Sequence, residues 1–307
     1  MPTLLSRFAG SLIGSALGDA IGELAFRFKS KVRLDAEIHA CSLLQYTDDT
    51  AMAMGVAQCL IEKKTIDPEH LGQIFHRNFK NEPWRGYASG PPSIFIKVET
   101  GGIRYTEAAS MLFRGKGSFG NGAAMRVAPV GLFFHGQSDL YEQAARSALP
   151  THSHPIARDG AAVQAKAVDL ALRTPTGGQF PVTAFLEELE TFALTAKFKD
   201  KIRLIRELTA FGAPDREAAR TLGKSVAIHE SLPFAVYSFL RHPDSFEDCI
   251  YCAVLNGGDR DTIGAMAGAV SGAYLGTEAV PGKWRDKLEG RNDFESLAAA
   301  LLENRQS

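Results

Sequence analysis

Glycine recurs every fourth residue in two separate stretches of this chain: Gly10, Gly14, Gly18 and Gly22, and again Gly264, Gly268, Gly272 and Gly276. Both stretches are apolar and helical in rhythm, and a glycine inside a helix costs about 0.5–1 kcal/mol relative to alanine. A row of four on one face must be offset by something, and the close approach of a second backbone does so. Such spacing is familiar from membrane helices. Here, however, the segments carry or adjoin Asp19, Asp259 and Asp261, and no apolar run in the sequence reaches membrane-spanning length. The pattern predicts a tightly packed central helix pair whose acidic ends share one neighbourhood.

The rest of the chain follows the same period. Apolar positions at helical spacing mark helices over 4–22, 49–63, 67–79, 92–98, 105–113, 138–148, 157–172, 182–194, 200–210, 215–227, 231–240, 245–255, 262–275 and 294–304. Convincing alternating strands are absent, so the fold class is all-α. Turn signals such as Asp67-Pro68, Gly90-Pro91-Pro92 and Thr174-Pro-Thr-Gly-Gly178 separate the helices without the length of a domain linker, which predicts one domain over 1–307.

With 34 basic and 35 acidic side chains, no global field favours nucleic acid or an anionic membrane, so any charged ligand must be held by local arrangement. The N-terminal stretch through Leu17 has one basic residue before its apolar part and runs straight into Gly18-Asp19, unlike a secretory signal. Four cysteines fit a reducing compartment, and the chain reads as cytoplasmic. Cys249-Ile-Tyr-Cys252 could be half a zinc site, but no further pair of ligands clusters beside it in the sequence. Its residues read as small buried hydrophobes.

Three segments could carry chemistry. Thr47-Asp48-Asp49-Thr50 is an ordinary helix start by composition, with a threonine cap and acids in the first turn. The same types would also suit a hard cation such as Mg²⁺. Asp259-Arg-Asp-Thr262, after Gly257-Gly258, repeats the pattern. Four carboxylates brought together would repel one another without metal, so a two-cation site accounts for the pair better than two independent caps. The third segment is Gly115-Lys-Gly-Ser-Phe-Gly-Asn-Gly-Ala-Ala-Met-Arg126, whose backbone N–H groups could cradle a phosphate. It is neither a Walker loop nor a dinucleotide fingerprint. Thr151-His-Ser-His154 offers a capping or substrate-contacting histidine in preference to zinc.

Read in order, "GSALGDAIG", "YTDDTAMA", "GYASG", "GKGSFGNGAAMRVAPVG", "LPTHSH", "ESLPFAVYSFL" and "NGGDRDTIGAMAGAVSGAYLG" resemble the ADP-ribosylglycohydrolase family, most of all its poly(ADP-ribose) and serine-ADP-ribose hydrolase branch. The resemblance runs from about Leu5 to about Trp284. It implies an all-α orthogonal bundle with a binuclear metal cleft holding two Mg²⁺, with Mn²⁺ as the alternative. It also implies Thr47, Asp48, Asp49, Asp259, Asp261 and Thr262 as metal ligands, with Asp48 and Asp261 central to catalysis. Gly117, Ser118, Phe119, Gly120, Asn121 and His152 would contact substrate. The implied reaction is hydrolysis of the glycosidic bond between ADP-ribose and a protein side chain, serine foremost, or an ADP-ribose polymer. ADP-ribosylated proteins or poly(ADP-ribose) would be the partners, with no nucleic acid and no membrane. Two departures stand out. Where the branch carries a glutamate shortly after "GDxxG", this chain has Phe26, with Glu23 nearby as the candidate substitute. Where the branch often has Gly-Asn-Gly, it has Gly223-Lys224-Ser225. A catalytically silent ADP-ribose-binding or structural relative is the alternative reading, and a small ADP-ribosyl compound is a third substrate class.

Overall fold

The computed structural model describes residues 1–306, and among them the chain is helical throughout, with no sheet. It opens on α1 (Leu4–Arg27), where the Thr3 hydroxyl accepts from Ser6 N at 3.1 Å. α2 (Lys31–Ala40) escapes the periodicity reading because it buries only Leu34 and Ile38, too few to make a stripe. α3 (Asp48–Lys63) and α4 (Pro68–Asn81) form a hairpin, the latter capped by Asp67 with proline in its first turn.

Short helices follow: α5 (Gly90–Gly101), α6 (Tyr105–Ser110), α7 (Leu112–Gly115), α8 (Gly122–Met125) and α9 (Ala128–Phe133). The continuous helix expected over 105–113 is broken, because Phe113 and Arg114 take left-handed backbone angles, with φ of 52° and 61°. α8 and α9 are four and six residues long, too short for periodicity to show.

α10 (Leu140–Ala148) leads into α11 (Pro155–Arg173), followed by α12 (Val182–Phe192) and α13 (Ala196–Ala210). α14 (Asp215–Leu222) ends five residues before the sequence pattern suggests, since Gly223 turns the chain at φ 92°. α15 (Ile228–Arg241), α16 (Phe246–Leu255) and α17 (Arg260–Leu275) complete the centre. α18 (Gly282–Arg285) and α19 (Arg291–Gln306) close the chain.

The glycine rows meet as expected. α1 and α17 run antiparallel, with Gly10 against Gly272, Gly14 against Gly268 and Gly18 against Gly264, while Gly22 abuts Arg260 and Asp261. A Cβ on any of the first three would overlap the facing carbonyl. α1 is buried without interruption from Arg7 to Gly22, which is why it shows no amphipathic face. Ser11 Oγ ties the pair by donating to Ala269 O at 2.9 Å. The antiparallel register sets the second half of α1 beside the first turn of α17. No helix among the described residues is long and apolar enough to cross a membrane.

Candidate active site

A cleft of about 450 Å³ opens where the N-termini of α3 and α17 converge. Asp48, Asp49, Asp259, Asp261 and Thr262 form one wall; Ser118 to Asn121 and His152 line the other.

The α3 start is built on Asp19, which is fully buried on α1. Its carboxylate accepts from Thr47 N at 2.9 Å and Thr47 Oγ1 at 2.8 Å. It also accepts from Thr50 N at 3.1 Å and Thr50 Oγ1 at 2.6 Å. Two threonines and two backbone amides are thereby fixed on one carboxylate, and Asp48 and Asp49 project from the turn it holds. Thr47 remains the helix cap, accepting from Asp49 N at 3.4 Å. Asp48 N donates to Arg85 O at 2.8 Å. The Arg85 guanidinium is itself held by Glu289 and Glu82 and lies over the Tyr46 ring.

The α17 start is arranged differently. Asp259 occupies the N-cap position yet makes no cap bond. Its carboxylate instead accepts from Asn121 Nδ2 at 2.6 Å, which ties the glycine-rich loop to the acidic one. Asp261 Oδ1 accepts from Thr262 N at 2.8 Å, and Thr262 Oγ1 reaches Asp49 Oδ2 at 3.4 Å across the two helices. Lys224 clamps the loop below: its carbonyl accepts from Asp259 N and its ammonium donates to Asn256 O at 2.6 Å.

The opposite wall depends on Gly117, whose φ of 72° and tight approach to Ser153 leave no room for a side chain. Backbone bonds from Asn121 N to Val226 O and from Ile228 N to Phe119 O pin the loop to the start of α15. Phe119, 46% exposed, lies between the rings of His154 and His229. Behind the loop, Arg126 is wholly buried, stacked on Phe75, and donates to Ser147 O and to Thr151 Oγ1 at 2.7 Å. Since Thr151 Oγ1 accepts from Arg126, its own hydrogen is free to donate to His152 Nδ1, 2.7 Å away. In that arrangement the imidazole proton sits on Nε2, which lies beside Gly120 and Gly122.

The wall is electrostatically unfavourable as it stands. Burial, with the neighbouring carboxylates adding to it, raises Asp48 to about 7 and Asp261 to about 8. The same causes push Asp49 well above the carboxylate range. Asp19 rises to about 6 by burial, restrained by the four donors it accepts from. Burial and the Arg126 charge lower His152 to about 3, so its imidazole is neutral at ordinary pH. Asp49 Oδ1 is buried without a hydrogen-bond partner. Carboxylates and threonine hydroxyls are oxygen donors only, suited to a hard cation, and the orphaned oxygen and mutual repulsion are what such a cation would relieve. The donor set fits.

The ADP-ribosylglycohydrolase family model matches residues 1–307. The chain belongs to the ADP-ribosylglycohydrolase family. It is 35% identical to the human protein "ADP-ribosylhydrolase ARH3" over 97% of this chain and 93% of that one. It is 30% identical to the uncharacterized Escherichia coli protein YegU over 98% and 97%. A solved structure described as an "ADP-ribosylglycohydrolase-related protein complex" superposes with a TM-score of 0.74 and 25% identity, covering 98% of this chain and 99% of that one. This ADP-ribosylglycohydrolase chain is therefore a glycohydrolase and all-α.

Of the residues singled out in the sequence, the fold brings Asp48, Asp49, Asp259, Asp261, Thr262, Ser118, Phe119, Gly120, Asn121 and His152 to the one cleft. Thr47 sits behind its acids against Asp19, and Gly117 shapes the loop without lining the cavity. Glu23 lies outside the lining, although its charge is felt at Asp261. Phe26 is 39% exposed. Sequence reasoning passed over Asp19 and Arg126 as site residues. The signal for both was present: a charged residue inside an otherwise apolar, glycine- or alanine-rich helical run must have a buried partner.

Proposed function

We propose that this glycohydrolase removes ADP-ribose from a protein side chain, serine foremost, or from an ADP-ribose polymer, using two Mg²⁺ held in the cleft. The observation that carries the reading is the convergence of two acidic helix starts on a glycine-rich loop, with Asn121 of the loop hydrogen-bonded to Asp259, 138 residues away in sequence. Asp48, Asp49, Asp259, Asp261, Thr262 and Thr47 would hold the cations, with Asp19 fixing the α3 turn from behind. When bound, magnesium supplies charge neutralisation and a template for hydroxyls and water at the anomeric carbon.

The other roles belong to the chain. The Ser118–Asn121 loop lines the cavity. Its backbone amides other than those of Gly120 and Asn121, which donate to Ser118 Oγ and Val226 O, would suit a diphosphate, while the exposed Phe119 ring offers a face to the adjoining ribose or base. His152, neutral and protonated on Nε2, donates a hydrogen bond in place of a charge. Glu23, beside Asp261, would accept a proton from water as C–O cleavage develops oxocarbenium character.

The test is to incubate the protein with serine-, arginine- and poly-ADP-ribosylated substrates, with and without Mg²⁺. Release of ADP-ribose is expected from the serine conjugate or the polymer, abolished without Mg²⁺ and in Asp48→Asn and Asp261→Asn. Undiminished release from either variant would sink the metal mechanism. The position of Glu23 outside the cleft lining favours one second reading, a silent ADP-ribose binder. Binding of ADP-ribose with no release from any substrate would establish it. Glu23→Gln should lower kcat by about 10²-fold, as loss of a general base does; a wild-type rate rejects that role.

A further inference from the structure

Away from the cleft, the fold gathers three side chains that the sequence keeps far apart. Asp215 opens α14, His242 follows the last turn of α15, and Cys252 sits midway along α16. One ligand atom from each lies within 4.8 Å of the other two. Among the described residues no other trio of histidine, cysteine and carboxylate ligands draws together so closely, the repelling carboxylates of the cleft included. The geometry points to a second metal site at Asp215, His242 and Cys252, taking one zinc-class divalent cation as a staple between three helices.

The chemistry of the trio differs in kind from that of the cleft. A thiolate, an imidazole nitrogen and a carboxylate oxygen are the ligands of borderline-soft ions such as Zn²⁺ or Co²⁺, whereas magnesium avoids sulfur. A tetrahedral ion needs its ligand atoms about 3.3–3.8 Å apart, so the three side chains draw in by about 1–1.5 Å at most. Nothing competes for the imidazole: among the described residues neither ring nitrogen of His242 has a hydrogen-bond partner. Cys252 is 4% exposed, while the side chain of Asp215 retains 36% exposure, which leaves an entry path and room for water as fourth ligand. The one cation already on Asp215 is weakly placed, with Arg241 Nε at 3.6 Å and that side chain 45% exposed. Burial holds the free thiol up at about 12, so binding releases its proton to solvent. Cys249, the other half of the CxxC, is turned away toward Ala267 O. The motif therefore contributes a single ligand, and its partners come from two other helices. α16 feeds directly into the Asn256–Asp259 loop, so a staple here steadies the acidic wall from outside without entering it.

Cobalt separates this site from the cleft, since the cleft lining contains no cysteine, its sulfur being only the thioethers of Met52 and Met125, which form no thiolate. Metal-free protein, with excess Mg²⁺ present, is titrated with Co²⁺ and followed by absorption. The expected result is one equivalent producing a thiolate-to-cobalt charge-transfer band together with tetrahedral d–d bands. Both disappear in Cys252→Ser and His242→Ala and persist in Cys249→Ser and Asp48→Asn. Zn²⁺ should raise the thermal midpoint of the magnesium-loaded wild type and leave that of Cys252→Ser unmoved. Far-ultraviolet circular dichroism confirms that the near-isosteric serine variant is folded; if it is not, Asp215→Asn takes its place. Absence of the charge-transfer band in the wild type overturns the proposal. So does a band that survives Cys252→Ser, or an equal zinc-induced shift in both proteins.

Discussion

Asp19 shows how a single carboxylate can govern a site it does not enter. Four donors from Thr47 and Thr50 converge on it, and the turn they belong to aims Asp48 and Asp49 into the cleft. Replacing it by asparagine keeps the shape but sets an NH₂ against donors and removes one negative charge. Partners behind metal ligands usually contribute 10–100-fold to affinity, so Asp19→Asn should weaken Mg²⁺ binding by about that factor in isothermal titration. Unchanged affinity would reduce Asp19 to a helix-capping role. Thr151 acts in a similar relay, between Arg126 and His152. In Thr151→Val the donor to Nδ1 is lost and the Nε2–H tautomer is no longer imposed. We expect kcat to fall about 10-fold, one hydrogen bond of about 1.4 kcal/mol, with His152 titrating at higher pH by NMR. An unaltered imidazole spectrum would reject the relay.

At the scale of elements, the α1–α17 pair is the frame, and its glycine register was legible because the constraint is written as a strict period of four. The same period located most helix cores, and the Asp-Asp-Thr starts of α3 and α17 were legible as a matched pair. What was not legible depended on contacts between distant segments. α2 buries two side chains and leaves no stripe. The break at Phe113 and Arg114 has no glycine or proline at those two positions to announce it. His242 and Asp215 lie on different helices from Cys252, so no local spacing could have paired the CxxC with them. The frame itself makes a sharp prediction. A methyl at Gly18 would overlap the Gly264 carbonyl, which is backbone and cannot rotate away. Gly18→Ala should therefore cost about 3 kcal/mol or more in denaturant unfolding, despite alanine's better helix propensity. Gly178→Ala, where nothing lies within 4 Å, is the matched control and should be near neutral. Equal effects at the two positions would mean that the helices do not pack at backbone distance.

For the whole molecule, the cleft is a store of unfavourable charge, and its balance with pH can be read from outside. Asp19 at about 6, Asp48 at about 7, Asp261 at about 8 and Asp49, raised by burial and the neighbouring carboxylates, all bind protons more tightly in the fold than in an unfolded chain, where aspartate lies near 3.9. A group raised by folding contributes stability that is complete below its unfolded value and is lost as pH climbs through its folded one. Histidines act in the opposite direction at lower pH. His152, depressed to about 3, contributes stability that is full above about 6.5 and declines as pH falls below it. The two effects overlap between about pH 4 and 6.5, and above that range the carboxylates act alone. Metal-free protein should therefore lose stability as pH rises from about 6.5 to 8, at about 1.4 kcal/mol per pH unit for each proton released. Mg²⁺ should flatten or reverse that slope, because it binds the ionised carboxylates and replaces the protons that held them together. Thermal midpoints of Asp48→Asn and Asp49→Asn, measured without metal across the same range, should show a shallower decline than the wild type. A metal-free wild type whose midpoint climbs from pH 6.5 to 8 would mean that these carboxylates are not crowded as the cleft geometry has them.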